Sequence, residues 1–230
     1  MIGAGSNLVA NTWVHLAVVR NGNTLYGYRD GVLDWSGADT RTYATANAVT
    51  VGTNGAGNQY YTGYVDELRI TKGIARYTGS FTLPSTRLPS GGGVIEEPLD
   101  PNIVSQLRFE GADGSTTITD DTGRIWEAGV GAISTAQKST GNSSGHAMVS
   151  SGQYLARTFP IATEFSWQTS SEIIFDFYLG SITDNLTICY YESPVLAYGY
   201  PREHLIYVRV ADRHLIFHWS YGPHWSQGDS

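Results

Sequence analysis

Residues 13–35 read as three strands joined by two tight turns, and this meander limits the fold more than any other feature of the chain. Trp13-Val14-His15-Leu16-Ala17-Val18-Val19-Arg20 is rich in apolar and β-branched side chains and reads as a strand. It stops at Asn21-Gly22-Asn23, where glycine supplies the positive φ that a two-residue hairpin needs. Residues 24–29 form the return strand, with Leu25 and Gly27 on one face and Tyr26 and Tyr28 on the other. Asp30-Gly31 is a second turn, and Val32-Leu33-Asp34-Trp35 continues the meander. Further strand-like runs occupy 48–52, 62–70, 103–110, 116–119, 125–129, 152–157, 172–179, 186–191, 205–210 and 214–219, whereas 72–77 reads as a turn or short helical turn. No twelve-residue window carries a helical period. Many short strands separated by turn signals predict an all-β, antiparallel sandwich.

Charge and cysteine content narrow the functions open to such a sandwich. The net charge is −7, and Lys and Arg nowhere cluster, so the basic face that nucleic-acid binding requires is missing. The single cysteine, Cys189, rules out an intrachain disulfide. It lies in the apolar run Thr187-Ile188-Cys189-Tyr190 and reads as a small buried side chain, because no histidine nearby would activate it. The opening MIGAGSNLVANTW has neither the charged start nor the apolar stretch of a signal peptide. No window approaches the roughly 18 apolar residues of a membrane span. Proline and glycine concentrate between 84 and 102, which predicts a linker at 90–101 between segments 1–89 and 102–230.

Both segments resemble one family. Thr12 to Arg20, Tyr28-Arg29-Asp30-Gly31 and Gly63-Tyr64-Val65-Asp66-Glu67-Leu68-Arg69-Ile70 resemble the C-terminal half of a laminin-G-like, concanavalin-A-like jelly roll. The continuation Thr71-Lys72-Gly73-Ile74-Ala75-Arg76-Tyr77, through Phe81-Thr82-Leu83-Pro84, is similar to the version found in bacteriophage tail-fibre and other virion proteins. Leu107-Arg108-Phe109-Glu110-Gly111, Asp120-Asp121-Thr122-Gly123, residues 132–138 and Gly152-Gln153-Tyr154-Leu155 resemble the beginning of the same domain. The chain thus carries a back half, a linker and a front half. Half a sandwich would bare strand edges and an apolar face, so each half needs a partner. The halves can pair within one chain as a permuted sandwich, between chains in a swapped oligomer, or with neighbours in a tandem array. A single composite sandwich, closed in cis or in trans, is the favoured expectation.

The resemblance also implies sites. Many relatives hold a structural calcium with oxygen ligands; Asp66 resembles the late carboxylate of that set, and Asp120 and Asp121 resemble the early group. Such an ion would clamp the two halves together. For glycan binding, Tyr60 and Tyr61 in the Gly-rich stretch 52–63, with Trp35 and Tyr43, are the aromatic candidates. The fold also hosts glycosidases, but Glu172 and Asp176 lie about 13 Å apart at 3.3 Å per residue, beyond the roughly 5–9.5 Å of a catalytic pair. Asp66 and Glu67 are adjacent and would point to opposite faces of a regular strand. His214 and His218 lack the helix that would stack them into a metal pair. The resemblance therefore implies a non-enzymatic virion structural or adhesion module, such as a tail-fibre or capsid-associated protein, built from like subunits and recognising surface glycans. The alternatives are a non-viral extracellular carbohydrate-binding module and, third, a glycoside hydrolase.

Overall fold

The computed structural model describes residues 3–40, 48–53, 60–83, 100–109, 111–123, 125–129, 131–139, 145–148, 154–158, 170–180, 186–193, 202–209 and 214–221. The meander forms as its turns dictate. Strand β1 (Gly3–Asn7) precedes β2 (Trp13–Asn21), β3 (Thr24–Arg29) and β4 (Val32–Ala38). Gly22 opens the first turn with φ 60°, the first central position of a type II′ hairpin. Asp30 and Gly31 follow at φ 50° and 78°, the paired positive values of a type I′ turn. The remaining strands are β5 (Ala48–Val51), β6 (Gly63–Lys72), β7 (Ile103–Leu107), β8 (Ile118–Thr119), β9 (Ile125–Gly129), β10 (Ala132–Ser134), β11 (Gly145–Met148) and β12 (Tyr154–Thr158). They are followed by β13 (Ser170–Leu179), β14 (Leu186–Ser193), β15 (Arg202–Arg209) and β16 (His214–Tyr221). Among the described residues there is no helix.

These strands make two antiparallel sheets. The first has the order β1-β16-β15-β14-β5-β12-β9-β8, and the second β10-β11-β6-β13-β2-β3-β4, with β7 also paired to β6. Strands from 3–72 and from 103–221 alternate in both sheets. In the second, β13 lies between β6 and β2; in the first, β5 lies between β14 and β12. Removing either segment would therefore strip ladder partners from the middle of each sheet.

Side-chain alternation builds the core between the sheets. Val14, Leu16 and Val18 of β2 meet Ile173, Phe175, Phe177 and Leu179 of β13 and Val65, Leu68 and Ile70 of β6. Val49, Val51, Leu155, Ile188 and Cys189 face them from the first sheet. Burial pushes the Cys189 thiol up to about 12, so it packs as an inert apolar group. The even-numbered residues of β13 and the odd-numbered ones of β2 point the other way. There Ala17, Val19, Tyr28 and Ile174 form a second apolar cluster with Tyr26, Ala75, Tyr77 and Phe81. Residues 73–83 thus run as a strap across the outer face of the second sheet. This explains the nearly unbroken apolar run of β2: its centre is covered on both faces. Phe81 N–H donates to the Gly31 carbonyl at 2.7 Å, and a β-carbon on Gly31 would lie 2.1 Å from the Phe81 oxygen. Glycine is what lets strap and turn approach so closely.

An ionic cluster fixes the other end of the strap. Glu172 is fully buried on the outer face of β13. Its Oε1 accepts from Arg69 at 3.0 Å, Thr71 at 3.2 Å and the Arg76 guanidinium at 3.0 Å. Its Oε2 accepts from the Arg76 backbone N–H at 3.2 Å, and Arg76 also donates to Asp100. A carboxylate buried this deeply is tolerated only when its lone pairs are filled. Glu172→Ala should lower the unfolding free energy by about 3–5 kcal/mol, by stranding Arg69 and unseating the strap. Urea denaturation of the full chain measures this, and the wild-type chain should unfold in one transition.

Candidate functional site

The strap covers only part of the outer face, and the part it leaves open carries a row of aromatic rings. Tyr178 of β13 is the direct cross-strand partner of Trp13 on β2 and of Tyr64 on β6. The Trp13 and Tyr178 rings lie 5.6 Å apart, tilted by 56°. Tyr64 meets Tyr178 at 5.9 Å, edge to face. All three are half-buried, so each offers part of a ring to solvent. Their position depends on alternation: Val14, Val65 and Phe177, one step along each strand, go into the core. Gly63 opens β6 hard against its neighbour, since a β-carbon there would lie 1.9 Å from the Tyr178 carbonyl oxygen.

One step along the same face, Asp176 is opposite His15 on β2 and Asp66 on β6. His15 Nδ1 donates to Asp176 Oδ1 at 2.5 Å, and both side chains are nearly buried, at 11% and 12% exposure. The His15 backbone N–H donates to Asp30 Oδ1 at 2.9 Å, which ties the β3–β4 turn to the row. Phe81 of the strap stands edge-on to the His15 ring at 5.9 Å. The site therefore has an open aromatic end, a histidine–carboxylate pair behind it, and the strap as its far wall. Flat apolar ring faces beside polar groups suit a sugar, which has an apolar C–H face and a rim of hydroxyls.

The aromatic residues expected to bind glycans lie elsewhere. Trp35, paired with Gly27 across β3 and β4, points into the main core and is 9% exposed. Tyr61 is fully buried, and its hydroxyl donates to the carbonyls of Tyr178 at 2.5 Å and Tyr64 at 3.2 Å. That burial raises its pKa well above the ordinary tyrosine range. Neither ring has a face left for stacking. Tyr61 instead ties the 52–63 connection to β6 and β13 from behind the aromatic row. Tyr60 is half-buried, in an isolated bridge to Thr53. Tyr43 lies outside the described residues.

The three carboxylates considered for calcium are engaged by protein donors. Asp66 is fully buried at a bulge in β6, where Asp66 and Arg69 oppose Asp176 and Ile174, and Glu67 takes φ 52°. Its Oδ1 accepts from the Glu67 N–H at 3.0 Å, and its Oδ2 from the Ser139 N–H and hydroxyl at 3.2 and 3.0 Å. Asp120 accepts from Ser105, itself bonded by the Trp126 indole, and from the Thr122 N–H and hydroxyl. Asp121 forms a two-pronged ion pair with Arg108 and accepts from Gln106. A calcium shell needs six to eight oxygens facing one point. Among the described residues no three His, Cys, Asp or Glu side chains gather in a way that could hold a metal. Asp66, Asp120 and Asp121 do not gather around one point that fits the ion, and of their hydrogen bonds the Asp66–Ser139 pair joins the two segments.

The carboxylates weighed for sugar hydrolysis are similarly occupied. Glu172 is filled by Arg69, Thr71 and Arg76, and Asp176 is bound to His15. Asp66 faces Asp176 across the strands but is closed from solvent by its Ser139 contacts.

Comparison with known proteins gives one match. Residues 2–74 match the Laminin_G_3 family model, described as the concanavalin A-like lectin/glucanases superfamily. The matched stretch holds β1 to β6, and agrees with the resemblance read from the first segment. No curated protein and no solved structure matches the chain.

Tyr61→Phe probes this buried tie. Loss of its hydroxyl should cost about 1 kcal/mol of stability, read by thermal or urea denaturation.

Proposed function

We propose, from the concanavalin A-like match of residues 2–74 and the open aromatic row, that this chain is a non-enzymatic adhesion module that binds glycans on the outer face of its second sheet. The observation that carries the reading is the Trp13–Tyr178–Tyr64 row, three half-buried rings held side by side by strand register. Three adjacent rings on one outer face, each with part of its surface in water, leave apolar area suited to stacking by a ligand ring. The resemblance of residues 71–84 to virion proteins supports a finer reading, in which the module belongs to a phage tail fibre or capsid-associated assembly of like subunits and attaches it to host glycans.

The same reading takes the sandwich as a family domain whose halves come in reversed order. Interleaving of the two segments in both sheets supports it, as does the pairing of β1 with β16, which sets Gly3 beside Phe217. That adjacency makes the reordered chain, 102–230 followed by 1–89, short to join. It should fold with a melting temperature close to that of the original; an unfolded or aggregated product would count against the permuted reading.

A glycan array tests the binding function. The wild-type chain should bind a subset of neutral glycans, and Tyr178→Ala and Tyr64→Ala should each weaken that binding about tenfold or more while keeping the fold. An array that stays blank, or a Tyr178→Ala variant that binds like wild type, would overturn this assignment.

A further inference from the structure

Among the described residues, the buried polar atoms without a hydrogen-bond partner on the outer face of the second sheet include Arg69 Nε near Glu172 and, grouped at β2 and β3, Trp13 Nε1, His15 Nε2 and the Tyr28 hydroxyl. A buried polar group left unmet is costly, and native proteins keep few of them. Here three fall together. Trp13 and His15 are two residues apart on β2, so they share a face about 6.6 Å apart along the strand. Tyr28 sits on β3 opposite Ala17, which is two residues further along β2. Phe81 stands edge-on to the His15 ring at 5.9 Å and to the Tyr28 ring at 5.6 Å. One half-buried strap ring thus closes over two of the three orphans, and the third belongs to the first residue of the open aromatic row.

Their hydrogen-bonding roles are fixed by chemistry. An ionised Asp176 only accepts, which holds a His15 proton on Nδ1; in the neutral imidazole Nε2 is then an acceptor. Trp13 Nε1 can only donate, while the Tyr28 hydroxyl can do both. A donor, an acceptor and a group of both kinds complement adjacent hydroxyls, each of which donates once and also accepts. A carboxylate or phosphate is a poor match. It brings no donor for His15 Nε2, and it would meet Asp176 from β13, Asp30 from the β3–β4 turn and Asp66 from β6. From the strap, the Phe81 ring stands against this side of His15.

We propose that Trp13, His15 and Tyr28 form a hydroxyl-binding subsite, closed by Phe81 in the free protein, that takes neighbouring hydroxyls of an uncharged pyranose. The proposal rests on the glycan-binding reading and names its ligand class. Entry requires the Phe81 side chain to rotate off its stack with Tyr77, at 3.7 Å between ring centres, while the Phe81 N–H keeps its bond to Gly31. The sugar then meets three groups that the closed state leaves unmet, and its apolar face lies along the aromatic row.

The test titrates the full chain with methyl glycosides of glucose, mannose and galactose. Binding is followed by titration calorimetry for every variant and, where Trp13 is present, by the NMR signal of its indole N–H, and the melting temperature is recorded without sugar. Tyr28→Phe should raise the melting temperature of the free protein, since it removes an unmet buried hydroxyl. It should also weaken binding of the preferred glycoside about tenfold. Trp13→Phe, which keeps a ring but drops the donor, should weaken it by a similar factor, and a deoxy glycoside lacking the contacted hydroxyl should no longer distinguish Trp13→Phe from wild type. A lower melting temperature for Tyr28→Phe would mean that the hydroxyl is already satisfied, and would overturn the proposal. It also falls if Tyr178→Ala abolishes binding while Tyr28→Phe and Trp13→Phe bind like wild type, although the aromatic row then stands. If no glycoside shifts the indole signal, the subsite and the glycan-binding reading fall together.

Discussion

A fully buried carboxylate organises the outer face of the second sheet. Glu172 cannot remain ionised in that position without filled lone pairs, and the donors that fill them come from β6, in Arg69 and Thr71, and from the strap, in Arg76. Meeting the needs of one charge therefore fixes three things at once: the pairing of β13 with β6, the course of the chain after β6, and, through the Arg76–Asp100 pair, the approach of β7. With its near end held there and Phe81 held at Gly31, the strap covers the middle of the sheet and stops short of its end. The open aromatic row is what remains. Its location follows from where the strap is pinned, not from any property of the three rings themselves.

The parts of this fold legible in the sequence are those decided by near neighbours. Asn21-Gly22-Asn23 and Asp30-Gly31 set their hairpins through backbone preference alone, and the alternation in β6 and β13 marks which side chains face the core. Strands β1, β10 and β11 escape a reading from pattern because Gly3–Asn7, Ala132–Ser134 and Gly145–Met148 are short and rich in glycine or polar residues. Pairing with longer strands makes them strands. The aromatic site escapes for a different reason. Trp13 and Tyr178 are neighbours only because β13 inserts beside β2, which no local signal announces. Tyr61 attracts attention in a Gly-rich stretch, yet its hydroxyl reaches the carbonyls of Tyr64 and Tyr178 and draws the ring inside. Asp66, Asp120 and Asp121 look like ion ligands as a list of acidic residues; Ser139, Ser105, Thr122 and Arg108, remote or unremarkable in sequence, are what satisfy them.

Stability and recognition draw on the same face in opposite ways. Around Glu172 every acceptor is matched, and the result is a clamp. Near the other end of the strap, His15 Nε2 and the Tyr28 hydroxyl are buried unmatched beside the Phe81 ring, which is a local weakness unless something from outside completes them. That the two conditions adjoin on one sheet is consistent with rigid support for a site that is itself incomplete.

The placement of β13 between β2 and β6 also sets a schedule for biosynthesis. Residues of β2 and β6 leave the ribosome on the order of 100 residues before β13, a delay of about 5–20 s at roughly 5–20 residues per second. During that interval β2, paired only with β3, and β6 each keep the edge that β13 will cover bare, the condition that favours wrong pairing with other nascent chains. Folding is dominated by contacts between residues far apart in the chain, so it is expected to be slow once it starts.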